Sequence, residues 1–171
     1  VCDLPVVAMM TVDEQGATPE GVPPEWMAQK LEATGADVVG VNCSVGPAPM
    51  LTTLELMAGI CQRPLAAMPN AGIPRAIDGR MLYLSSPAYI SRYAKRFHRL
   101  GARVIGGCCG VTPEHIRAMR GAIAETSETE IIPRVIVDAP KVKPRDPMPS
   151  ERKSSLAAKV SSGSFVTMLE V

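Results

Sequence analysis

The strongest constraint on the fold is an alternation that repeats four times between Val1 and about Ala124. Short apolar runs at Leu4 to Met10, Val38 to Val41, Leu65 to Met68 and Arg103 to Ile105 each precede a segment with helical spacing. Runs this short read as buried strands, and apolar positions three and four apart read as helices. In Pro47 to Ile60 the residues Met50, Leu51, Leu54 and Met57 follow that spacing. In Pro24 to Thr34 the apolar residues are Trp26, Met27 and Leu31, and Gly35 follows as a stop. Ser86-Pro87 and Thr112-Pro113 each set a capping hydroxyl before a proline at the first helical position. The helix after Ser86 runs to Leu100 and stops at Gly101. Strand–helix units in series specify a parallel sheet with helical crossovers. The expected fold class is therefore α/β. Four such units make half of an eight-stranded βα barrel. A small doubly wound sheet is the alternative, although no Gly-x-Gly-x-x-Gly loop follows any of the strands.

Beyond this region the composition changes. Ser, Thr and Glu come first, then a short β-rich piece from Ile131 to Val137, then Pro140, Pro144, Pro147 and Pro149 among Lys and Arg. The stretch 125–152 reads as an extended linker. Ser154 to Val160 has the pattern of one or two helical turns, and Phe165 to Val171 reads as a strand. A lone strand needs partners, so residues 153–171 read as the opening of a second domain. The chain starts at Val1, almost inside a strand-like run, which leads us to expect a piece of a longer protein.

Composition excludes several classes of function. The net charge of +1 gives no electrostatic case for nucleic acid or a membrane surface. No apolar run approaches the roughly 20 residues of a membrane span. Five cysteines, two of them adjacent, fit a disulfide framework poorly. They fit metal or redox thiols in a reducing, cytoplasmic setting better.

The chemistry gathers at the carboxyl ends of the strands, where a βα barrel builds its site. Thr11 ends the first strand, Asn42 and Cys43 the second, Asn70 the third, and Cys108 and Cys109 the fourth. The two cysteine segments lie far apart, unlike the close ligand pairs of a zinc finger, so the fold must assemble the site. Three thiolates suit zinc, which is redox-inert and accepts tetrahedral sulfur. They leave the fourth position open to a substrate thiol, which loses its proton on binding. A free thiol with a pKa near ~8.5 is mostly protonated at neutral pH. The glycines around Cys108 and Cys109 let neighbouring side chains reach one ion. Other readings stand beside this one. Buried cysteines are often small hydrophobes, the expected role of Cys2 and Cys61. A Cys108–Cys109 disulfide is open once metal is lost. Asn42 and Asn70 also suit turns as backbone-bonding residues. His98 and His115 lie within helices, where structural or solvated roles are the rule. The basic residues from Lys141 to Lys153 read as a solvated linker, and the absence of Cys-x-x-Cys weakens a thiol redox role.

Three segments carry a resemblance. Gly40 to Cys43 (GVNC), Pro69 to Gly72 (PNAG) and Gly106 to Ile116 (GGCCGVTPEHI) resemble the homocysteine S-methyltransferase domain, over about residues 3–123. That domain occurs in betaine-, S-methylmethionine- and cobalamin-dependent enzymes. The resemblance implies a (β/α)8 TIM barrel of which residues 1–124 are the C-terminal half. It implies Cys43, Cys108 and Cys109 as zinc ligands and Asn70 as a labile oxygen ligand displaced by homocysteine. Asn42, at the end of the second strand, is expected to bind substrate together with Asn70. Where the family usually has Thr after GGCCG, this chain has Val111. The implied activity is zinc-dependent methyl transfer to homocysteine, giving methionine. The implied partners are homocysteine, a methyl donor (S-methylmethionine, S-adenosylmethionine or methyl-folate/cobalamin) and the N-terminal half-barrel.

The tail from Ser154 to Val171 is similar to the start of a bacterial methylenetetrahydrofolate reductase domain, itself an α/β barrel. That second resemblance implies a bifunctional parent with FAD and NAD(P)H in its oxidoreductase part. The alternatives are a half-barrel piece without catalysis of its own, and a part of a cobalamin-dependent methionine synthase.

Overall fold

The computed structural model describes residues 4–126, 131–132, 149, 152 and 155–163. In chain order the first unit runs β1 (Val7–Met10), α1 (Pro24–Ala33), β2 (Val38–Asn42), α2 (Pro47–Ala58), β3 (Leu65–Met68), β4 (Arg75–Ile77), β5 (Arg80–Leu82), α3 (Pro87–Arg99), β6 (Ala102–Ile105) and α4 (Pro113–Ala124). All four expected strands and all four expected helices are present. Two helices end a little before the sequence pattern did. Thr34 and Ile60 lie in closing turns, with N–H groups that still bond back to Lys30 and Met57 at 3.2 and 3.1 Å.

The sheet has the order β1-β2-β3-β6, and every neighbouring pair is parallel. Each new parallel strand is added beside the previous one. A doubly wound sheet reverses direction at a switch point, and these strands contain no such reversal.

Alternation along the strands divides the residues between two faces. Val39 and Val41 of β2 and Leu65 and Ala67 of β3 join a buried cluster with Met27, Met50, Leu54, Met57 and Phe97 of the helices. The opposite face carries Val7, Met9, Val38 and Met68, all exposed or half-buried, around a strip of small residues. Gly40 pairs with Ala66 across that strip. A Cβ on Gly40 would collide with the Ala66 carbonyl oxygen and lie 2.6 Å from the Ala66 Cβ. The strands approach closely here because Gly40 has no side chain.

Helices α3 and α4 share a second cluster of Ala71, Ile90, Ala94 and Met119. Tyr89, Tyr93 and Phe97 stack along α3 at successive turns, with ring centroids 5.0 and 6.5 Å apart. Ser86 caps α3 as the sequence pattern predicts, its Oγ accepting from the Tyr89 N–H at 3.2 Å.

One element was not expected. Strands β4 and β5 form an antiparallel hairpin around Asp78-Gly79. Both turn residues have positive φ, 48° and 72°. A two-residue turn of that conformation matches the twist of a hairpin and favours Asp-Gly. The signal was present in the sequence, but the flanking runs are three residues each and all six are exposed.

The chain divides into units at residues 1–141 and 142–171. In the second, a helix α5 spans Ser155–Ser161 where helical turns were expected. The expected strand Phe165–Val171 lies outside the described residues, as do most of the β-rich piece Ile131–Val137 and most of the linker. No described helix is long and apolar enough to cross a membrane.

The Gly40–Ala66 contact leads to a stability prediction. Gly40→Ala overpacks two paired strands and should destabilise the fold by about 1–3 kcal/mol. Denaturant unfolding checks this, with Ala66→Gly expected to relieve little of the Gly40→Ala defect in the double variant, because the nearest clash is with the Ala66 backbone carbonyl.

Candidate metal centre

Three loops at the carboxyl ends of β2, β3 and β6 meet at one place. Cys43 immediately follows β2, and it and Ser44 have φ of 60° and 64°. Non-glycine residues adopt this left-handed conformation at a cost of order 1–3 kcal/mol each. Backbone bonds hold the loop in it. The Cys43 N–H donates to Met68 O at 3.0 Å, and the Asn70 N–H donates to Val45 O at 3.0 Å. The loop after β6 is bound to the same segment. The Cys108 N–H donates to Pro69 O at 2.8 Å, and the Ala71 N–H donates to Cys109 O at 2.9 Å. Residues 69–71 thus hold both cysteine loops.

The result is a cluster of three sulfurs. Cys43 Sγ lies 3.6 Å from Cys109 Sγ, and Cys109 Sγ lies 3.9 Å from Cys108 Sγ. All three lie within 4.8 Å of one another. A tetrahedral zinc with Zn–S bonds of ~2.3 Å separates its sulfurs by roughly 3.8 Å. The two shorter separations fall either side of that value. A disulfide needs ~2.05 Å, so these are free thiols. The donor set is soft, redox-compatible with zinc and collected on one side of an ion position. The residues fit zinc.

The sulfurs differ in their surroundings. The Ser44 N–H beside the Cys43 sulfur is the main cause holding that thiol below its ordinary range, with help from Cys108, Cys109 and the Asn70 amide. Burial pushes the Cys108 thiol up to about 11, and the Cys43 and Cys109 sulfurs add to the effect. Cys43 and Cys108 are half-buried, and Cys109 is exposed.

Asn70 is buried, 4% exposed, at the centre of this network. Its Oδ1 accepts from the Cys109 N–H at 3.0 Å, and the side chain helps hold the Cys43 thiol below its ordinary range. Asn42 is the half-buried last residue of β2, with its backbone opposite Met68. Thr11 follows β1 and is half-buried. Cys61 is fully buried in the core, in line with its expected role, and Cys2 lies outside the described residues.

His115 has a structural role. Its Nδ1 accepts from the Thr112 N–H at 3.1 Å, so the proton sits on Nε2, which donates to Ser85 O at 2.8 Å. The first bond closes the start of α4, in the place that Glu or Gln takes in a capping box. The second holds the segment that follows the hairpin. His98 lies on α3 with its Nδ1 buried and, among the described residues, without a hydrogen-bond partner.

Tyr83, which the sequence reading did not single out, sits in the segment that His115 holds. Its ring lies against Gly110, where a Cβ would come within 2.6 Å of Tyr83 Cδ2. Partial burial and the nearby Cys109 sulfur push its phenol above the usual range. Its position depends on the hairpin, which the helical and strand patterns did not reveal.

The family described as homocysteine S-methyltransferase matches residues 1–123. Methionine synthase of Mycobacterium tuberculosis is 33% identical over 128 residues, which is 74% of this chain and 11% of that protein. Betaine–homocysteine S-methyltransferase 1 of Mus musculus is 36% identical over 137 residues, 70% of this chain and 33% of that protein. The chain therefore spans only a tenth to a third of these relatives. The crystal structure of the oxidized homocysteine methyltransferase MmuM from Escherichia coli superposes with a TM-score of 0.51 at 23% identity, covering 67% of this chain and 34% of that one, and shares the fold. With its family match over residues 1–123, this chain belongs to the homocysteine S-methyltransferase family.

Proposed function

We propose that this chain supplies the zinc-holding half of a barrel that transfers a methyl group to the thiol of homocysteine. The observation that carries the proposal is the three-sulfur cluster, with separations of 3.6 and 3.9 Å. Cys43, Cys108 and Cys109 would hold the ion. Zinc, when bound, supplies thiolate character to a coordinated substrate thiol at neutral pH.

The chain's own residues prepare that site. The Ser44 N–H and the Asn70 amide stabilise negative charge on Cys43. The bond from the Cys109 N–H fixes the Asn70 side chain beside the sulfurs. Asn70, and Asn42 at the end of β2, are proposed as the residues that meet the substrate. The half-barrel reading is supported by the uninterrupted strand order and by the exposed or half-buried Val7, Met9, Val38 and Met68 on the face away from the helices. In a complete barrel that face turns inward.

Homocysteine is the acceptor named for the betaine and S-methylmethionine relatives. The donor is assigned to residues beyond this half-barrel. For the rest of the parent we favour a reductase domain with FAD and NAD(P)H, on the tail sequence Ser154–Val171. The methionine synthase likeness favours a second reading, in which cobalamin carries the methyl group.

Elemental analysis of protein purified without oxygen tests the ligand set. We expect one zinc per chain, lost in Cys43→Ser and in Cys108→Ala with helix content unchanged by circular dichroism. One equivalent retained in either variant contradicts the assignment. The pH dependence follows from proton displacement. The Cys108 thiol, pushed up to about 11, carries its proton at pH 7 in the metal-free protein. Zinc binding expels that proton, so affinity should fall as pH falls, by about a decade per pH unit for each proton displaced. Competition with a chelator between pH 6 and 8 reads the slope. A flat profile contradicts thiol ligation.

A further inference from the structure

A closed circuit of hydrogen bonds brackets the cysteine loop after β6. Cys109 O accepts from the Ala71 N–H at 2.9 Å, and Ala71 O accepts from the Ser85 N–H at 3.0 Å. Ser85 O accepts from His115 Nε2 at 2.8 Å. His115 Nδ1 accepts from the Thr112 N–H at 3.1 Å. Thr112 follows Cys109 by way of Gly110 and Val111, so the chain itself closes the circuit. Inside it, the Cys109 N–H bonds Asn70 Oδ1 at 3.0 Å and the Cys108 N–H bonds Pro69 O at 2.8 Å.

The first two links run from backbone to backbone and depend on no particular side chain. The last two belong to one imidazole, and that side chain is buried, 7% exposed. The start of α4 alone does not require a histidine. A Glu at this position accepts from the N-cap N–H, but an ionised carboxylate has no proton for Ser85 O. Neutral imidazole has one nitrogen to accept and one to donate. His115 therefore does more than close a helix. It also fixes Ser85, where the hairpin returns to the fold. Strands β4 and β5 are exposed along all six residues, and a two-stranded hairpin has little stability of its own. Ser85 is set tightly against the central segment as well: a Cβ on Gly72 would lie 2.7 Å from Ser85 Oγ.

We propose that His115 is a positioning residue for the metal centre, which holds the Cys108–Cys109 loop in register with Cys43 by donating to Ser85 O while it closes the start of α4. The inference rests on the zinc reading above. His115 touches neither the sulfurs nor a substrate; it acts through Ser85, Ala71 and Thr112. The sulfur that gains most is that of Cys109, 3.6 Å from Cys43 Sγ and 3.9 Å from Cys108 Sγ. Metal–ligand distances tolerate changes of only about 0.2 Å, so a small movement of this loop removes a ligand. Loss of an outer hydrogen-bond partner typically lowers metal affinity 10–100-fold. Because His115 acts through two backbone segments, its loss belongs at the low end, about tenfold.

The test compares the unmutated full chain with His115→Glu, His115→Gln and His115→Leu. Glu keeps the acceptor for the Thr112 N–H and loses the donor to Ser85 O. Gln retains both functions, and Leu has neither. Zinc affinity is read by competition with a chelator, the helix by melting temperature, and the circuit by hydrogen exchange at the Ala71 and Ser85 amides of the metal-free protein. In His115→Glu we expect zinc affinity to fall about tenfold, with faster exchange at both amides and an unchanged melting temperature. His115→Gln should restore both affinity and exchange protection. His115→Leu should lose zinc affinity and melt earlier. Unweakened zinc binding in His115→Glu would overturn the proposal. So would equal losses in Glu and Gln, or affinities that simply follow melting temperature across the three variants, since each outcome would leave His115 a structural residue only. Absence of zinc from the unmutated protein would overturn the metal reading and this inference with it, which separates the two failures.

Discussion

The short segment from Pro69 to Ala71 holds the site together through backbone bonds to both sides. Toward the β2 loop, the Asn70 N–H bonds Val45 O, while the Cys43 N–H reaches Met68 at the end of β3. Toward the β6 loop, Pro69 O accepts from Cys108 and the Ala71 N–H bonds Cys109 O. These bonds fix the spacing of sulfurs that lie far apart in sequence. They also balance the unfavourable conformations of Cys43 and Ser44, which would not persist in an isolated loop. The parallel sheet sets β3 between β2 and β6, so its loop alone is adjacent to both.

The division of labour among strand, loop and helix follows from this arrangement. The helices bury one face of the sheet in a core of aliphatic residues with Phe97. That rigidity lets the loop ends carry strained backbone and a polar network. Asn70 shows the effect most clearly: buried, it satisfies its oxygen on the Cys109 N–H and helps lower the Cys43 thiol. A buried carboxamide without those partners would be destabilising. His115 acts one layer out, joining the start of α4 to Ser85 and thereby to the segment bearing Tyr83.

Much of this was legible in the chain itself. Pro-initiated helices and short apolar runs marked every parallel strand and crossover, because local periodicity reports burial directly. The cysteines and Asn70 were legible because each follows an apolar run at the end where a parallel βα fold collects its chemistry. The hairpin was not, since three-residue exposed strands carry no periodicity and only Asp78-Gly79 marks them. Tyr83 was missed with it. The role of His115 was hidden for a different reason: one of its partners is Ser85 O, a backbone atom 30 residues away. Val111, the departure from the usual Thr, packs its side chain over Gly107, a contact that no spacing rule identifies.

The central claim is that Cys43, Cys108 and Cys109 bind one zinc and leave a place for a substrate sulfur. X-ray absorption at the zinc edge, recorded with and without homocysteine on zinc-loaded protein, tests it most directly. The account predicts three sulfurs and one lighter atom at ordinary zinc distances, with the lighter atom replaced by a fourth sulfur when homocysteine is added. A first shell dominated by nitrogen and oxygen, or one unchanged by homocysteine, would contradict it.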